Sequence, residues 1–298
     1  MRHIFPTFLL LTVLSTLTGC QTTHRGVVPV SGGGQLYYEQ RGSGEPLLLL
    51  HGHSLDRRMW DSQWKVFARD FCVIRPDFRG YGRSSEQRED LPMTHADDII
   101  TLLDSLHINQ AHVVGLSMGA FVVGDLLAIY PSRLKSVTLA SGSIRRSSPG
   151  PSQPMDSAES ARRDEEIAAL KQKGVEQMKR EWIDALVASG GSRREQMRKP
   201  LERMIGQWSA WQPLHKEVRL FYAREAWDSL VSRRPKVPVL MLDGATEGKD
   251  SREPQELKYL ENGQHQILPD CGHMMNMEQP ELFNRIVLSF LKTASEKQ

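Results

Sequence analysis

The chain has 298 residues, 39% of them hydrophobic, with 38 Lys/Arg against 36 Asp/Glu for a formal net charge of +2. A charge this close to balance argues against a nucleic-acid partner, and the composition is that of an ordinary globular domain. The length suffices for one domain with a sizeable core plus an insertion, and no internal repeat is visible.

Met1-Arg2-His3 gives a short basic start, followed by Ile4 to Leu17, a mostly apolar run too short to span a bilayer as a helix. It ends in Leu17-Thr18-Gly19-Cys20, which resembles a bacterial lipobox. That resemblance implies a signal peptide over residues 1–19, lipid on Cys20 and a membrane anchor in the bacterial cell envelope. Each buried methylene of such an anchor contributes about 0.8 kcal/mol. Gln21, where an aspartate would retain the protein, implies the outer membrane of a Gram-negative cell. A plain secretory signal with no role for Cys20 is the other reading. Residues 20–34 read as a tether. Cys72 and Cys271 are expected to be free thiols on well-separated elements. Nothing has metal-ligand spacing, and neither metal nor cofactor is expected.

Downstream, strands and helices alternate. Leu36 to Gln40 reads as a strand and Gly42-Ser43-Gly44-Glu45 as a turn. Pro46 opens Leu47-Leu48-Leu49-Leu50, the continuous apolar run of a strand buried on both faces. A helical pattern from about Trp60 to Ala68 precedes the strand Phe71 to Arg75. Ala96 to Leu106 spaces its apolar residues three and four apart, as a helix against a sheet does. Ala111 to Val114 and Ser136 to Ala140 are strands, and Val237 to Leu242 and Gln264 to Leu268 follow much later. A helix from about Glu281 to Leu291 closes the chain. This order predicts an α/β fold, a mostly parallel sheet with helices on both faces. Between Gly142 and Pro235 the alternation stops. That segment is helical in pattern and has more Lys/Arg than Asp/Glu. It holds Trp182, Trp208, Trp211, Tyr222 and Trp227, and reads as a subdomain with its own aromatic core that doubles as a lid over a substrate pocket.

The strand ending at Val114 runs into Gly115-Leu116-Ser117-Met118-Gly119, a G-x-S-x-G pentapeptide at a strand-to-helix junction. A sharp turn there lifts the serine hydroxyl out of the sheet, leaving room only for glycine two positions to either side. The amino terminus of the following helix favours negative charge beside it. A serine hydroxyl needs a base to take its proton and a third group to orient that base. The best candidate base is His273, in Cys271-Gly272-His273 just after the last strand.

With these residues placed, the chain resembles the α/β-hydrolase superfamily from Leu36 to Leu291. His51-Gly52-His53 with Trp60 looks like its oxyanion turn. Arg75 to Ser84 looks like its P-D-x-R-G-x-G-x-S loop, Gly115 to Gly119 like its nucleophile elbow, and Cys271-Gly272-His273 with Glu278-Gln279-Pro280 like its histidine region. The resemblance implies an eight-stranded sheet, a core of residues 35–141 and 236–293, and a helical cap over 142–235. It also implies Ser117 as nucleophile, His273 as general base and acid, and the backbone N–H groups of His53 and Met118 as the oxyanion hole. His51, Asp77 and Arg79 are structural in that pattern.

The acid departs from it. Members show G-x-x-D after the penultimate strand, with a proline four residues beyond the aspartate. Counting from Gly244 selects Glu247; counting back from Pro254 selects Asp250. Distance from the strand end favours Glu247, with Asp250 as the alternative. The expected activity is hydrolysis of a carboxylic ester or related small acyl substrate through an acyl-enzyme on Ser117. Amide, thioester, lysophospholipid or C–C bond hydrolysis and perhydrolysis on the same groups are alternatives, as is a catalytically weak or inactive binding protein. Dehalogenase and epoxide hydrolase chemistry is disfavoured, because both place an aspartate where Ser117 stands.

Overall fold

The computed structural model describes residues 22–145, 157–216, 221–247 and 254–296. The expected signal peptide over residues 1–19, Cys20 and Asp250 therefore lie outside the described residues.

Eight strands form one sheet: β1 (His24–Val30), β2 (Gly34–Arg41), β3 (Pro46–Leu50), β4 (Cys72–Pro76), β5 (Ala111–Leu116), β6 (Leu134–Ala140), β7 (Val239–Gly244) and β8 (Gly263–Leu268). Their order is β1-β2-β4-β3-β5-β6-β7-β8. The pairings β1 with β2 and β2 with β4 are antiparallel, and every other pairing is parallel. Burial explains the central positions. Leu47 to Leu50 of β3 are wholly buried, and all six residues of β5 are buried, as a strand covered on both faces must be.

The helices are α1 (Asp61–Phe67), α2 (His95–Ser105), α3 (Met118–Ile129), α4 (Ser157–Lys173), α5 (Val175–Ala188), α6 (Arg198–Gln207), α7 (Trp211–Leu214), α8 (Arg224–Arg233), α9 (Met275–Glu278) and α10 (Pro280–Glu296). One layer pairs α1 with α10, and another joins α2, α3 and α8. Helix α2 buries His95, Ala96, Asp98, Ile99, Leu102 and Leu103, the stripe its spacing predicts. Thr94 caps it by accepting the Asp97 N–H at 3.1 Å.

Two boundaries differ from the sequence reading. The tether assigned to residues 20–34 contains β1, an edge strand whose Val28 and Val30 reach the core while Pro29 and Val27 stay exposed. A seven-residue segment containing glycine and proline reads as linker alone; pairing with β2 makes it a strand, and an edge tolerates the proline. At the other boundary, α8 falls inside the 142–235 segment but packs along α3, against the sheet layer. No strand occurs between β6 and β7 among the described residues. Helix α4 has no buried residue, so it is the outermost part of this insertion. Cys72 and Cys271 are free thiols, and burial pushes the Cys271 thiol up to about 12, which leaves it inert.

Candidate active site

Ser117 stands between β5 and α3 with φ 56° and ψ −116°, a strained conformation for a non-glycine residue. The close packing explains its glycines. A Cβ on Gly115 would come within 2.3 Å of the Gly119 carbonyl oxygen, and one on Gly119 within 2.2 Å of the Leu50 carbonyl oxygen. The turn is held from the neighbouring strand, where Ala140 accepts the Ser117 N–H at 2.9 Å. On its other side runs the His51-Gly52-His53 turn after β3, so close that a Gly52 Cβ would stand 3.6 Å from Ser117 Cβ.

That turn is fixed by His51. Its Nε2 accepts the Phe78 N–H at 2.9 Å, which leaves Nδ1 to donate to the Gly52 carbonyl oxygen at 2.8 Å. Burial lowers the imidazole's pKa, so it stays neutral in this role. His53 meets Tyr81 through Nδ1 at 2.8 Å and lies edge-on to Trp208, with ring centroids 5.1 Å apart. Burial pushes its pKa down to about 4. Among the described residues, no hydrogen-bond acceptor takes the backbone N–H of His53 or of Met118. Both are therefore open to an oxygen placed beside Ser117, and Met118 opens α3 with the helix dipole behind it.

The histidine and acid loops zip together before their side chains meet. Ala245 donates its N–H to the Leu268 carbonyl and Thr246 to the Cys271 carbonyl, both at 3.0 Å. This brings Glu247 Oε1 against His273 Nδ1 in a short charge-assisted contact. The Glu247 side chain is 4% exposed and that of His273 26%, so the carboxylate is the inner partner. Its second oxygen faces the Gly244 N–H at 3.4 Å. Asp243, nearer the strand, is paired with His265 Nε2 at 3.0 Å instead. Ser117 Oγ has no hydrogen-bonding partner among the described residues. Nucleophile–base contacts are commonly long until substrate tightens them.

Asp77 and Arg79 sit in buried ion pairs. Asp77 accepts from Arg57 N at 2.8 Å, Arg57 Nη1 at 2.7 Å and Arg83 N at 2.9 Å; Arg79 pairs with Asp98. Arg57, which the sequence reading did not single out, is the cation paired with Asp77. Its only local signal is a pair of arginines before Met59-Trp60.

The inserted helices supply a roof. A cavity of about 370 Å³ is lined by His53, Met178, Glu181, Trp182, Trp208 and Pro213. Trp182 of α5 donates its indole N–H to Ser54 Oγ at 2.7 Å, and Ser54 Oγ donates to the His53 carbonyl oxygen at 2.5 Å, so α5 is tied to the turn beside Ser117. The other aromatics face elsewhere. Trp211 stacks on His215, Tyr222 bonds Asp97 through its hydroxyl, and Trp227 packs on Tyr259. Spacing alone could not separate these two groups, because the packing of α5 and α6 on each other decides which aromatics reach the cavity.

The alpha/beta hydrolase family model matches residues 47–286. The chain belongs to this family. It is 24% identical over 263 residues to an (E)-2-((N-methylformamido)methylene)succinate hydrolase of Acinetobacter baylyi, covering 86% of this chain and 94% of that one. A hydrolase from Pseudomonas aeruginosa has a similar structure, with TM-score 0.69 at 25% identity over 90% of this chain and 98% of that one. An esterase from Thermogutta terrifontis shares the fold, with TM-score 0.65 at 24% identity over 91% and 99% of the two chains. These hydrolase relatives, together with the family match, make the chain an α/β hydrolase.

Proposed function

We propose that this hydrolase acts on carboxylic esters or closely related acyl substrates through a covalent acyl-enzyme on Ser117. The observation that carries the reading is the buried Glu247 carboxylate against His273 Nδ1. A carboxylate there holds the proton on Nδ1, leaving Nε2 with the lone pair a base needs. Ser117 Oγ attacks the acyl carbonyl and passes its proton to His273 Nε2. The carbonyl oxygen, now negative, is held by the N–H groups of His53 and Met118. Collapse breaks the bond to the leaving alcohol, which takes the proton from Nε2. Water then gives a proton to Nε2 and its oxygen to the acyl carbon, and Ser117 recovers its proton as the acid leaves. Esters need the least help from leaving-group protonation, which favours them over amides.

The test is labelling with a fluorophosphonate probe beside Ser117→Ala, with p-nitrophenyl ester turnover on the same samples. Labelling and turnover are both expected to vanish in the variant. A folded wild-type protein that takes no label would sink the reading. Labelling without ester turnover would keep the serine and reject the ester.

The lipobox-like Leu17-Thr18-Gly19-Cys20 supports a second part of the proposal, a lipid anchor on Cys20 in the bacterial envelope. Incorporation of radiolabelled palmitate is expected in the wild-type chain and none in Cys20→Ala. Equal labelling of both, or of neither, would leave only a secretory signal.

A further inference from the structure

The chain leaving β6 passes directly over the nucleophile's turn. A Cβ on Gly142 would stand 3.1 Å from the Ser117 carbonyl oxygen and 2.5 Å from Ala120 Cβ. Ile144 packs against Gly124 on the same helix, one of its carbons lying 3.1 Å from where a Gly124 Cβ would be. Arg145 follows, half-buried, with its guanidinium carbon 5.1 Å from the Phe121 ring centroid and 5.2 Å from that of Phe221. Phe121 is the fourth residue after Ser117, about 6 Å further along the helix axis.

Among the described residues, Arg145 has no carboxylate and no hydrogen-bonding partner. The acids around it are engaged elsewhere. Glu256 accepts the Ile144 N–H at 3.3 Å, and Asp125 accepts the Tyr222 N–H at 2.8 Å. Here two phenyl rings cover the guanidinium, and its in-plane N–H groups are left for a planar anion, which they match two bonds at a time. Phe221 has a second polar neighbour. His95, fully buried, lies edge-on to it at 6.2 Å, and neither ring nitrogen has a partner. An alkyl chain against this wall would leave the Arg145 guanidinium without a partner.

We propose that Arg145 anchors a carboxylate borne by the substrate, several bonds from the carbonyl that Ser117 attacks, so that half-esters of dicarboxylic acids are preferred over neutral esters. The proposal deepens, and rests on, the reading of the chain as an ester hydrolase. The two fail separately in the following experiment. Turnover of the monomethyl esters of succinic, glutaric, adipic and suberic acids is followed by pH-stat against neutral methyl esters of equal acyl length, in wild type, Arg145→Gln and Arg145→Lys. Adipate binding at fixed ionic strength is measured by calorimetry in Ser117→Ala with and without Arg145→Gln.

With Arg145→Gln, KM for the best half-ester is expected to rise at least about tenfold, a loss of the order that one charge-assisted pair supports. The neutral ester of the same length should change by less than about twofold. Arg145→Lys keeps the charge without the fork and should recover part of the loss. Parallel changes for both esters, or no change for either, would overturn the proposal. Adipate binding that disappears with Arg145→Gln upholds the anion site even where wild type hydrolyses no ester, while equal binding in both proteins, or none, rejects it.

Discussion

Replacing Glu247 by glutamine is expected to lower kcat by about 10³- to 10⁴-fold with folding unchanged, and replacing Asp250 by asparagine to change it by less than about twofold. The carboxylate at 247 faces His273 Nδ1 and is almost wholly buried. An amide in the same place can present its NH₂ to Nδ1, which moves the ring proton to Nε2, where the Ser117 proton must arrive. Geometry survives while the tautomer is wrong, so the loss falls on kcat and leaves substrate binding nearly intact. Steady-state kinetics with one ester, and a melting temperature for each variant, decide the matter. A large loss in Asp250→Asn and a small one in Glu247→Gln would transfer the acid to the residue counted back from Pro254.

The difficulty of that assignment shows where a sequence stops being informative. Ser117 is legible because its constraints are local: the turn needs Gly115 and Gly119 whatever surrounds it. His273 is legible from its place after the last strand. The candidate acid is different, because its reach depends on how the loop after β7 is laid down. The two backbone bonds from Ala245 and Thr246 to the histidine loop set that path, and they join segments that no pattern in the sequence links. The same holds for β1, made a strand by its partner, and for Trp182 and Trp208, sorted from the other aromatics only by how the inserted helices sit. Residue types alone can also mislead. His112 lies between Ser136 Oγ at 2.7 Å and Glu45 Oε2 at 3.2 Å, yet Ser136 is wholly buried near the start of its strand. A serine, a histidine and a glutamate in contact there only tie the sheet to the last helix through Ser295. What sets Ser117 apart is exposure at the carboxyl edge of the sheet, with two open N–H groups beside it.

The largest loss of stability is expected from Asp77→Ala, about 3–5 kcal/mol. Asp77 is wholly buried, and removing its carboxylate strips Arg57 of its closest counter-charge while leaving the N–H groups of Arg57 and Arg83 without an acceptor. Of its ion-pair partners Arg57 would keep Glu39, at 3.3 Å, and Glu39 is already shared with Arg75 at 2.7 Å. For a chain of this size the cost corresponds to a melting temperature lower by roughly 10 °C. Asp77→Asn should cost less, since its amide oxygen still accepts one backbone N–H while the charge is lost. Arg57→Met in the Asp77→Asn background should then recover part of the loss, because the uncompensated cation is what makes the single variant costly. Additive losses in that cycle would show the pair to be uncoupled. The effect should reach the active site as well. Phe78, the residue after Asp77, donates the N–H that holds His51, and Tyr81 meets His53. Below its own melting temperature, Asp77→Asn should therefore lose turnover in excess of its loss of folded protein, because the loop that fixes the proposed oxyanion turn has been loosened.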